Sequence, residues 1–374
     1  MNNILLSGGL AFLITFFAIP VIIQVAKDKK LFDEPDERKV HKNVIPTLGG
    51  LGIFAGFIIA TLMGVPAAIT SQLQYFAAAT TVIFFLGIKD DILVLSASKK
   101  FIGQLIAAGI IIKFGGIQLT NLHGFLGIYE IPHITGVIIS LFTIIVITNS
   151  FNLIDGVDGL AGSLGLLTTL VFGAYFFYAG HLTYAVMAFA LAGSTIGFLI
   201  YNFSPAKIFM GDTGSLLLGL VNSILVIKFI NVAGNPAENF PIAAAPAIGF
   251  AILMIPLFDT LRVIGLRILN RRSPFSPDRT HVHHFLLDLG LSHRMVTITC
   301  VLVNISFISL AYFLRNLGTT AVIGILLLSA FIFIGIIYYS RPKNKNAVAA
   351  KVEKTGILKS HKILKLAGEA VEAE

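Results

Sequence analysis

Charge is what this sequence has least of. Only 12% of its 374 residues are charged and 56% are hydrophobic, whereas a soluble domain carries about 25% charged residues. Soluble-domain arithmetic would divide a chain of this length into two or three units. Apolar runs instead recur along its whole length, each near the roughly 20 residues that cross a bilayer, so it reads as one membrane domain. Cysteine is reduced to one, Cys300, inside an apolar run. That excludes a disulfide framework and a multi-cysteine metal site, and leaves a small buried or lipid-facing residue as the plain reading. The start, MNNILLSGGL, lacks the basic region and cleavage site of a signal peptide and is expected to remain as a first span. No internal repeat stands out.

The apolar runs predict an all-α polytopic membrane protein of eleven spans, at roughly 4–25, 48–66, 74–92, 97–114, 134–151, 160–180, 183–202, 214–231, 243–264, 295–314 and 319–340. The fourth is the weakest, with Lys99 and Lys100 at its entrance, where long side chains snorkel. With the first loop taken as cytoplasmic, 24 Lys and Arg fall on the inner side and three, Lys113, Lys228 and Arg315, on the outer. That asymmetry sets the N-terminus outside and the C-terminus in the cytoplasm of a plasma (inner) membrane. It also accounts for the net charge of +8 without nucleic acid. Residues 1–340 form the membrane-embedded unit and 341–374 a basic tail. Within the tail, 357–366 is either a helix lying on anionic lipid or part of a solvated, partly disordered segment. Residues 115–133 suggest a small external β-hairpin or an irregular loop.

This layout leaves the outer face nearly empty of ionisable groups and crowds acids on the inner one. Asp90 and Asp91 end the third span in GIKDDILVL, Asp155 and Asp158 follow the fifth in NSFNLIDGVDGLAG, and Asp212 opens the eighth in FMGDTGSLLLG. Acids at membrane depth are costly and commonly mark function. Oxygen-only donors with few nearby bases suit magnesium, which in turn recruits phosphates. Taken singly, each motif has a plainer reading: a solvated helix end for Asp90-Asp91, N-caps for Asp155 and Asp158, and an ordinary capped helix start for the segment around Asp212. All three on one face favour a single site.

The loop 267–294, RILNRRSPFSPDRTHVHHFLLDLGLSHR, faces the same side. Its arginines suit paired phosphate contacts, and His281, His283 and His284 could ligate a metal, donate to a diphosphate or move protons. A topological anchor explains the arginines but not His-Val-His-His. In ERKVHKNVIPTLGG, Lys42 and Thr47 ahead of Gly49-Gly50 put a cation and backbone donors at the membrane edge, or form a plain charged turn.

In this order, HKNVIPTLGG, the Asp90-Asp91 pair, NSFNLIDGVDGLAG, FMGDTGSLLLG and DRTHVHHFLLDLGLSHR resemble the polyprenyl-phosphate N-acetylhexosamine-1-phosphate transferases, across about residues 4–340. The resemblance implies that undecaprenyl phosphate attacks the β-phosphate of a UDP-N-acetylhexosamine and that UMP leaves. It also implies a requirement for magnesium, with manganese a conceivable substitute. By motif matching, Asp212 corresponds to the metal ligand, joined by Asp155 and Asn152, and Asp90 to the residue that orients or deprotonates the lipid phosphate, with Asp91 beside it. Asn152, Asp155 and Asp158 match the nucleotide- and metal-facing set, and Phe209 a ring that stacks on uracil. Lys42, Thr47, Lys100, Arg279, His281, His283 and His284 fall among the substrate contacts. The peptidoglycan branch carries three consecutive histidines where Val282 interrupts this run. The resemblance is therefore to the branch that uses UDP-N-acetylglucosamine to prime cell-envelope polysaccharides, including lipopolysaccharide, in preference to the branch that takes the pentapeptide-bearing sugar.

Three rival classes share some of these features. An intramembrane prenyltransferase needs paired N-D-x-x-x-D motifs, which are absent. A CDP-alcohol phosphotransferase begins like Asp155-Gly156 but needs further aspartates that do not follow. A secondary transporter would place its ionisable groups near mid-membrane and often repeat its halves. The exact sugar, the polyprenol length and the oligomeric state are not fixed by the residues, and a homodimer is left open.

Overall fold

The computed structural model describes residues 2–29, 45–66, 72–271, 273 and 280–341. Each of the eleven apolar stretches is helical, but not each is one helix. The elements run α1 (Asn2–Asp28), α2 (Gly49–Gly64), α3 (Leu73–Leu93), α4 (Ala97–Lys113), β1 (Asn121–Phe125), β2 (Ile128–Glu130), α5 (His133–Ile154), α6 (Leu160–Tyr178) and α7 (Leu182–Asn202). They continue with α8 (Gly211–Ala233), α9 (Ala245–Ile252), α10 (Met254–Leu269), α11 (Val282–Asp288), α12 (His293–Leu314) and α13 (Thr319–Ser340). Among the described residues, seven helices are long and apolar enough to cross a bilayer, and an eighth crossing is added if α9 and α10 are one span. Of the rest, α2 and α4 are short, at 16 and 17 residues, and α3 ends on Lys89-Asp90-Asp91.

Helix α8 is the axis of the fold. It is buried along almost its whole length and packs against α2, α3, α5, α6, α7 and α9. Peripheral helices carry their bulky apolar residues outward: Leu5, Phe17, Phe85, Phe142 and Phe331 are all exposed. This is the arrangement expected when the solvent is hydrocarbon and the most polar helix surfaces turn inward. Many of the polar side chains turned inward are paired between helices. Asn149 Nδ2 on α5 donates to Gln104 Oε1 on α4 at 2.8 Å, fastening the helix that the sequence marks as the weakest span.

The run at 243–264 is not one continuous helix. It breaks between α9 and α10 with an 85° bend. A break inside an apolar region frees backbone groups that need partners, and one side chain supplies two of them. Asn304 of α12 accepts from Ile255 N at 2.9 Å and donates to Ile252 O at 2.9 Å. Pro256 sits in the first turn of α10, where a missing N–H is tolerated.

The hairpin suggested within 115–133 is present. β1 and β2 are antiparallel, with Asn121 opposite Glu130 and Phe125 opposite Ile128. The two residues at its tip, Leu126 and Gly127, have φ of 51° and 79°, as a two-residue I′ turn requires. Its backbone is held by α13: Thr320 Oγ1 accepts from Leu126 N at 2.7 Å, and Thr319 Oγ1 donates to His123 O at 2.7 Å.

Candidate active site

The site forms around the N-terminus of α8, where three of the sequence motifs meet. The described part of HKNVIPTLGG runs alongside FMGD as a short ladder. Phe209 N donates to Pro46 O at 2.8 Å, Gly49 N to Phe209 O at 2.9 Å and Gly50 N to Met210 O at 2.9 Å. Close approach explains two glycines here: a Cβ on Gly50 would lie 2.2 Å from Gly214 N, and one on Gly87 of α3 would lie 2.4 Å from Thr213 Cα. Helices α2 and α3 thus grip the first turn of α8 from two sides, with backbone where side chains would normally stand.

The first turn of α8 leaves backbone N–H groups without helical partners. No side chain of its own caps them. Asp91 does so from α3: Oδ1 accepts from Asp212 N at 2.7 Å, and Oδ2 from Thr213 N at 3.1 Å and Thr213 Oγ1 at 2.5 Å. Both Asp91 oxygens are therefore engaged with the head of α8. Asp90 faces the other way. Its Oδ1 accepts from Leu95 N, and its Oδ2 forms an ion pair with Lys100 of α4. The turn between them places Val94 at φ 44°, an uncommon conformation for a β-branched residue.

Lys100 joins the two acidic helices, since its Nζ also lies 2.7 Å from Asp212 Oδ2. The other Asp212 oxygen accepts from Asn152 Nδ2 at 2.9 Å, and Asn152 in turn donates to Ser215 Oγ at 3.0 Å. Asp155, just past the end of α5, receives no side-chain hydrogen bond among the described residues. Burial, and then the charges of Asp212, Asp91 and Asp158, hold its carboxyl well above the usual carboxylate range. Neither Asp155 nor Asp158 caps α6, whose N-cap is Gly159 at φ 75°. Asp158 is buried and ties the loop to its scaffold. His293 Nδ1 lies 3.2 Å from its Oδ1, Ala206 N donates to its Oδ2 at 3.2 Å, and Thr297 Oγ1 donates to its backbone oxygen at 3.0 Å.

The histidines come from α11 and its N-cap. His281 and His283 stack with their ring planes 6° apart and centroids at 5.6 Å, and His283 and His284 lie 4.3 Å apart. His283 roofs the acidic loop, because a Cβ on Gly156 would lie 2.6 Å from its Nε2. It is fully buried, its Nδ1 has no hydrogen-bond partner among the described residues, and burial followed by the proximity of His284 pushes its pKa down to about 3. A value that low keeps the ring neutral at physiological pH. His281 is also buried, with Nδ1 2.8 Å from Asp259 Oδ2. Thr47, Phe209 and His284 are half-buried at the margin. Lys42 and Arg279, read as substrate contacts, lie outside the described residues, as does the tail segment 357–366.

The chain holds further residues of the site that its motifs do not announce. Asp259 and Arg262 lie in the apolar run FDTLRV, and the only signal is two opposite charges three residues apart in a stretch otherwise fit for lipid. His293, the partner of Asp158, lies within DRTHVHHFLLDLGLSHR, but nothing in that motif sets it apart from the other histidines.

The acidic group suits a magnesium ion by donor type. Asp212, Asp155 and Asn152 offer oxygen ligands, and the undonated Asp155 carboxyl lies within the field of three other acids. No group of three His, Cys, Asp or Glu among the described residues is arranged to hold a metal by itself. Magnesium commonly takes one or two carboxylates and completes its shell with substrate phosphates and water, so the residues fit such a shared site.

Carboxylates, a lysine and a roof of histidines around one helix N-terminus define a membrane-embedded site built for a phosphorylated substrate. The chain belongs to glycosyl transferase family 4, the family of the polyprenyl-phosphate N-acetylhexosamine-1-phosphate transferases: the family's sequence profile matches residues 73–230, from the start of α3 almost to the end of α8. It is 33% identical over 322 residues to the probable undecaprenyl-phosphate N-acetylglucosaminyl 1-phosphate transferase of Bacillus subtilis (strain 168), covering 84% of this chain and 86% of that one. Identity is also 33%, over 327 residues and 80% of each chain, to the decaprenyl-phosphate N-acetylglucosaminephosphotransferase of Mycobacterium leprae (strain TN). The undecaprenyl-phosphate alpha-N-acetylglucosaminyl 1-phosphate transferase of Escherichia coli (strain K12) is 29% identical over 311 residues, 81% of this chain and 82% of that one.

Proposed function

We propose that this protein transfers N-acetylglucosamine 1-phosphate from UDP-N-acetylglucosamine to undecaprenyl phosphate, releasing UMP and forming the lipid diphosphate sugar that primes a cell-envelope polysaccharide. The relatives' names support the reaction. The observation that carries it to these residues is Lys100, seated between Asp90 and Asp212 at the head of α8.

In-line phosphoryl transfer needs positioning and charge neutralisation more than covalent catalysis. A lipid phosphate is largely ionised at neutral pH, so its oxygen is already nucleophilic. Asp90, fixed by Leu95 N–H and Lys100, orients that phosphate, and Lys100 offsets its charge. Asp212 and Asp155, with Asn152, face the diphosphate of the nucleotide sugar. A magnesium ion held there, or manganese in its place, would supply neutralisation of the charge that develops on the β-phosphate and on departing UMP. Asp91 acts through α8, keeping Asp212 in place by capping the turn that carries it. Phe209, at the ladder's edge, is the ring offered to uracil, with Thr47 opposite it.

The membrane arrangement belongs to the same reading. All eleven apolar stretches are taken to reside in a plasma membrane, with α3 and α4 tolerated there because their charges gather at one end. The N-terminus lies outside, and the acidic site opens to the cytoplasm, where UDP-sugars are made. The purified protein, given undecaprenyl phosphate and a panel of UDP-sugars, should release UMP fastest with UDP-N-acetylglucosamine. A preference for the pentapeptide-bearing sugar would move it to the peptidoglycan branch, and the absence of UMP with every sugar would overturn the reading.

A further inference from the structure

We infer that Asp259 is a positioning residue for the transfer reaction, setting the tautomer of His281 and, through it, the seat of the histidine row over the acidic loop. The inference rests on the function proposed above and extends it to a residue that none of the sequence motifs includes.

Asp259 is 2% exposed in the first half of α10, and each of its oxygens is engaged toward α11. Oδ2 lies 2.8 Å from His281 Nδ1. Oδ1 accepts from Val282 N at 3.0 Å and from Arg262 Nη2 at 2.8 Å. Arg262 also donates to Thr280 O, and its guanidinium lies 5.4 Å from the centre of the Phe285 ring. One carboxylate on α10 therefore performs two tasks. It stands in for the missing side-chain cap at the start of α11. It also requires the proton of His281 to sit on Nδ1, because an ionised carboxylate can only accept. A ring whose Nδ1 is so occupied is fixed in orientation, and Nε2 is left as the nitrogen available for chemistry. The alignment then passes along the row. His281 stacks parallel to His283, and His283 covers Gly156, next to Asp155. Burying an acid in an apolar helix is costly unless it is fully paired. The buried Arg262 balances the charge of Asp259 through Oδ1, which leaves Oδ2 to fix His281.

Asp259→Asn keeps the shape but can present an N–H to His281, favouring the opposite tautomer. The expected result is a fall in kcat on the order of 10²-fold, as for other carboxylates that orient a working histidine, together with a raised KM for UDP-N-acetylglucosamine and an unchanged KM for undecaprenyl phosphate. The ¹⁵N resonances of His281, assigned by their loss in His281→Gln, should report a change of protonated nitrogen. The double variant Asp259→Asn/His281→Gln should be no slower than His281→Gln alone, the signature of two residues acting as one unit. If Asp259→Asn leaves Arg262 unpaired and the protein unfolds, Asp259→Asn/Arg262→Gln removes both charges and is measured in its place. Parent-like kinetics, losses that multiply in the double variant, or an unchanged His281 tautomer would each overturn the inference. Failure of the parent protein to release UMP would instead strike the proposed function, and the tautomer measurement would still stand on its own.

Discussion

The two ends of α8 make the clearest contrast in the molecule. Both are polar, and both bring several elements together. At the far end most of the polar groups are paired with one another, although the buried His123 Nε2 beside Gly234 has no hydrogen-bond partner among the described residues. Lys228 lies 5.2 Å over the Tyr184 ring, His181 Nε2 is 3.1 Å from Glu238 Oε2, and Asn231 holds the backbone of Gln118 and Thr120. At the N-terminal end Asp155 has no donor, a single lysine serves Asp90 and Asp212, and a neutral buried histidine covers the loop. The first arrangement stabilises a structure. The second gathers Asp90, Asp91, Asp155 and Asp212 around one lysine, and burial with the neighbouring acids holds the Asp155 carboxyl well above the usual carboxylate range; acids crowded at membrane depth are costly and commonly mark function. A polar cluster at membrane depth is therefore not enough to mark function; acids in excess of their bases are the sharper sign.

Substitutions at the two ends should differ accordingly. The largest effect belongs to Asp212→Asn, which keeps the shape but removes the charge facing the diphosphate and one of the two acceptors that meet Lys100 and Asn152. A loss of transfer on the order of 10³-fold is expected, with the thermal midpoint in detergent little changed. Turnover within a few-fold of the parent would dissolve the contrast. Next is Asp91→Ala, which uncaps α8. Because Asp91 works through structure, both activity and thermal stability should fall, the latter by about 1–2 kcal/mol. A loss of activity with unchanged stability would move Asp91 from strut to substrate contact.

A smaller, pH-dependent effect separates the histidine roof from the closed end. His283 titrates near 6.5 when unfolded but is held at about 3 in the fold. The unfolded chain therefore takes up the extra proton, and stability is present above the unfolded value and lost as pH falls through and below it. The groups that set this are the burial of His283 and its neighbours His284, Asp259, His281 and His293. Between about pH 7 and pH 5 the cost is about 2 kcal/mol. His283→Gln should flatten that part of the stability profile, as read by thermal unfolding across pH. An unchanged slope would mean that the ring is not a buried neutral imidazole. The smallest effect is expected from Glu238→Gln, which opens one pair at the closed end and should change transfer less than about 2-fold, in keeping with a half-exposed ion pair.

What the sequence reveals of this molecule follows from range. Helices are local events, so the apolar runs mark the helical stretches, and the alternating segments around His-Gly-Phe-Leu-Gly suggest a hairpin or an irregular loop, of which the hairpin is present. The break between α9 and α10 escaped because the residue that makes it tolerable, Asn304, lies about 50 positions away and looks like an ordinary polar residue in a span. The acids are legible as a group, since all fall at helix ends on one side of the layout, Asp155, Asp158 and Asp212 within glycine-rich motifs. Their division of labour is not, because Asp90 and Asp91 are chemically identical neighbours on α3. Only the geometry turns one toward Lys100 and the other onto the backbone of α8. Asp259 was invisible for a related reason: a lone acid in an apolar helix acquires meaning only from His281, 22 residues further on.

The central claim is that the bond broken lies between the two phosphates of the nucleotide sugar, at a site made by the head of α8. It is tested most directly by following a radiolabel placed in the β-phosphate of UDP-N-acetylglucosamine, with the purified protein and undecaprenyl phosphate. The account predicts that the label moves into the lipid fraction together with the sugar, that the released nucleotide is unlabelled UMP, and that Asp212→Asn abolishes the movement. Label released as UDP, with only the sugar reaching the lipid, would contradict it.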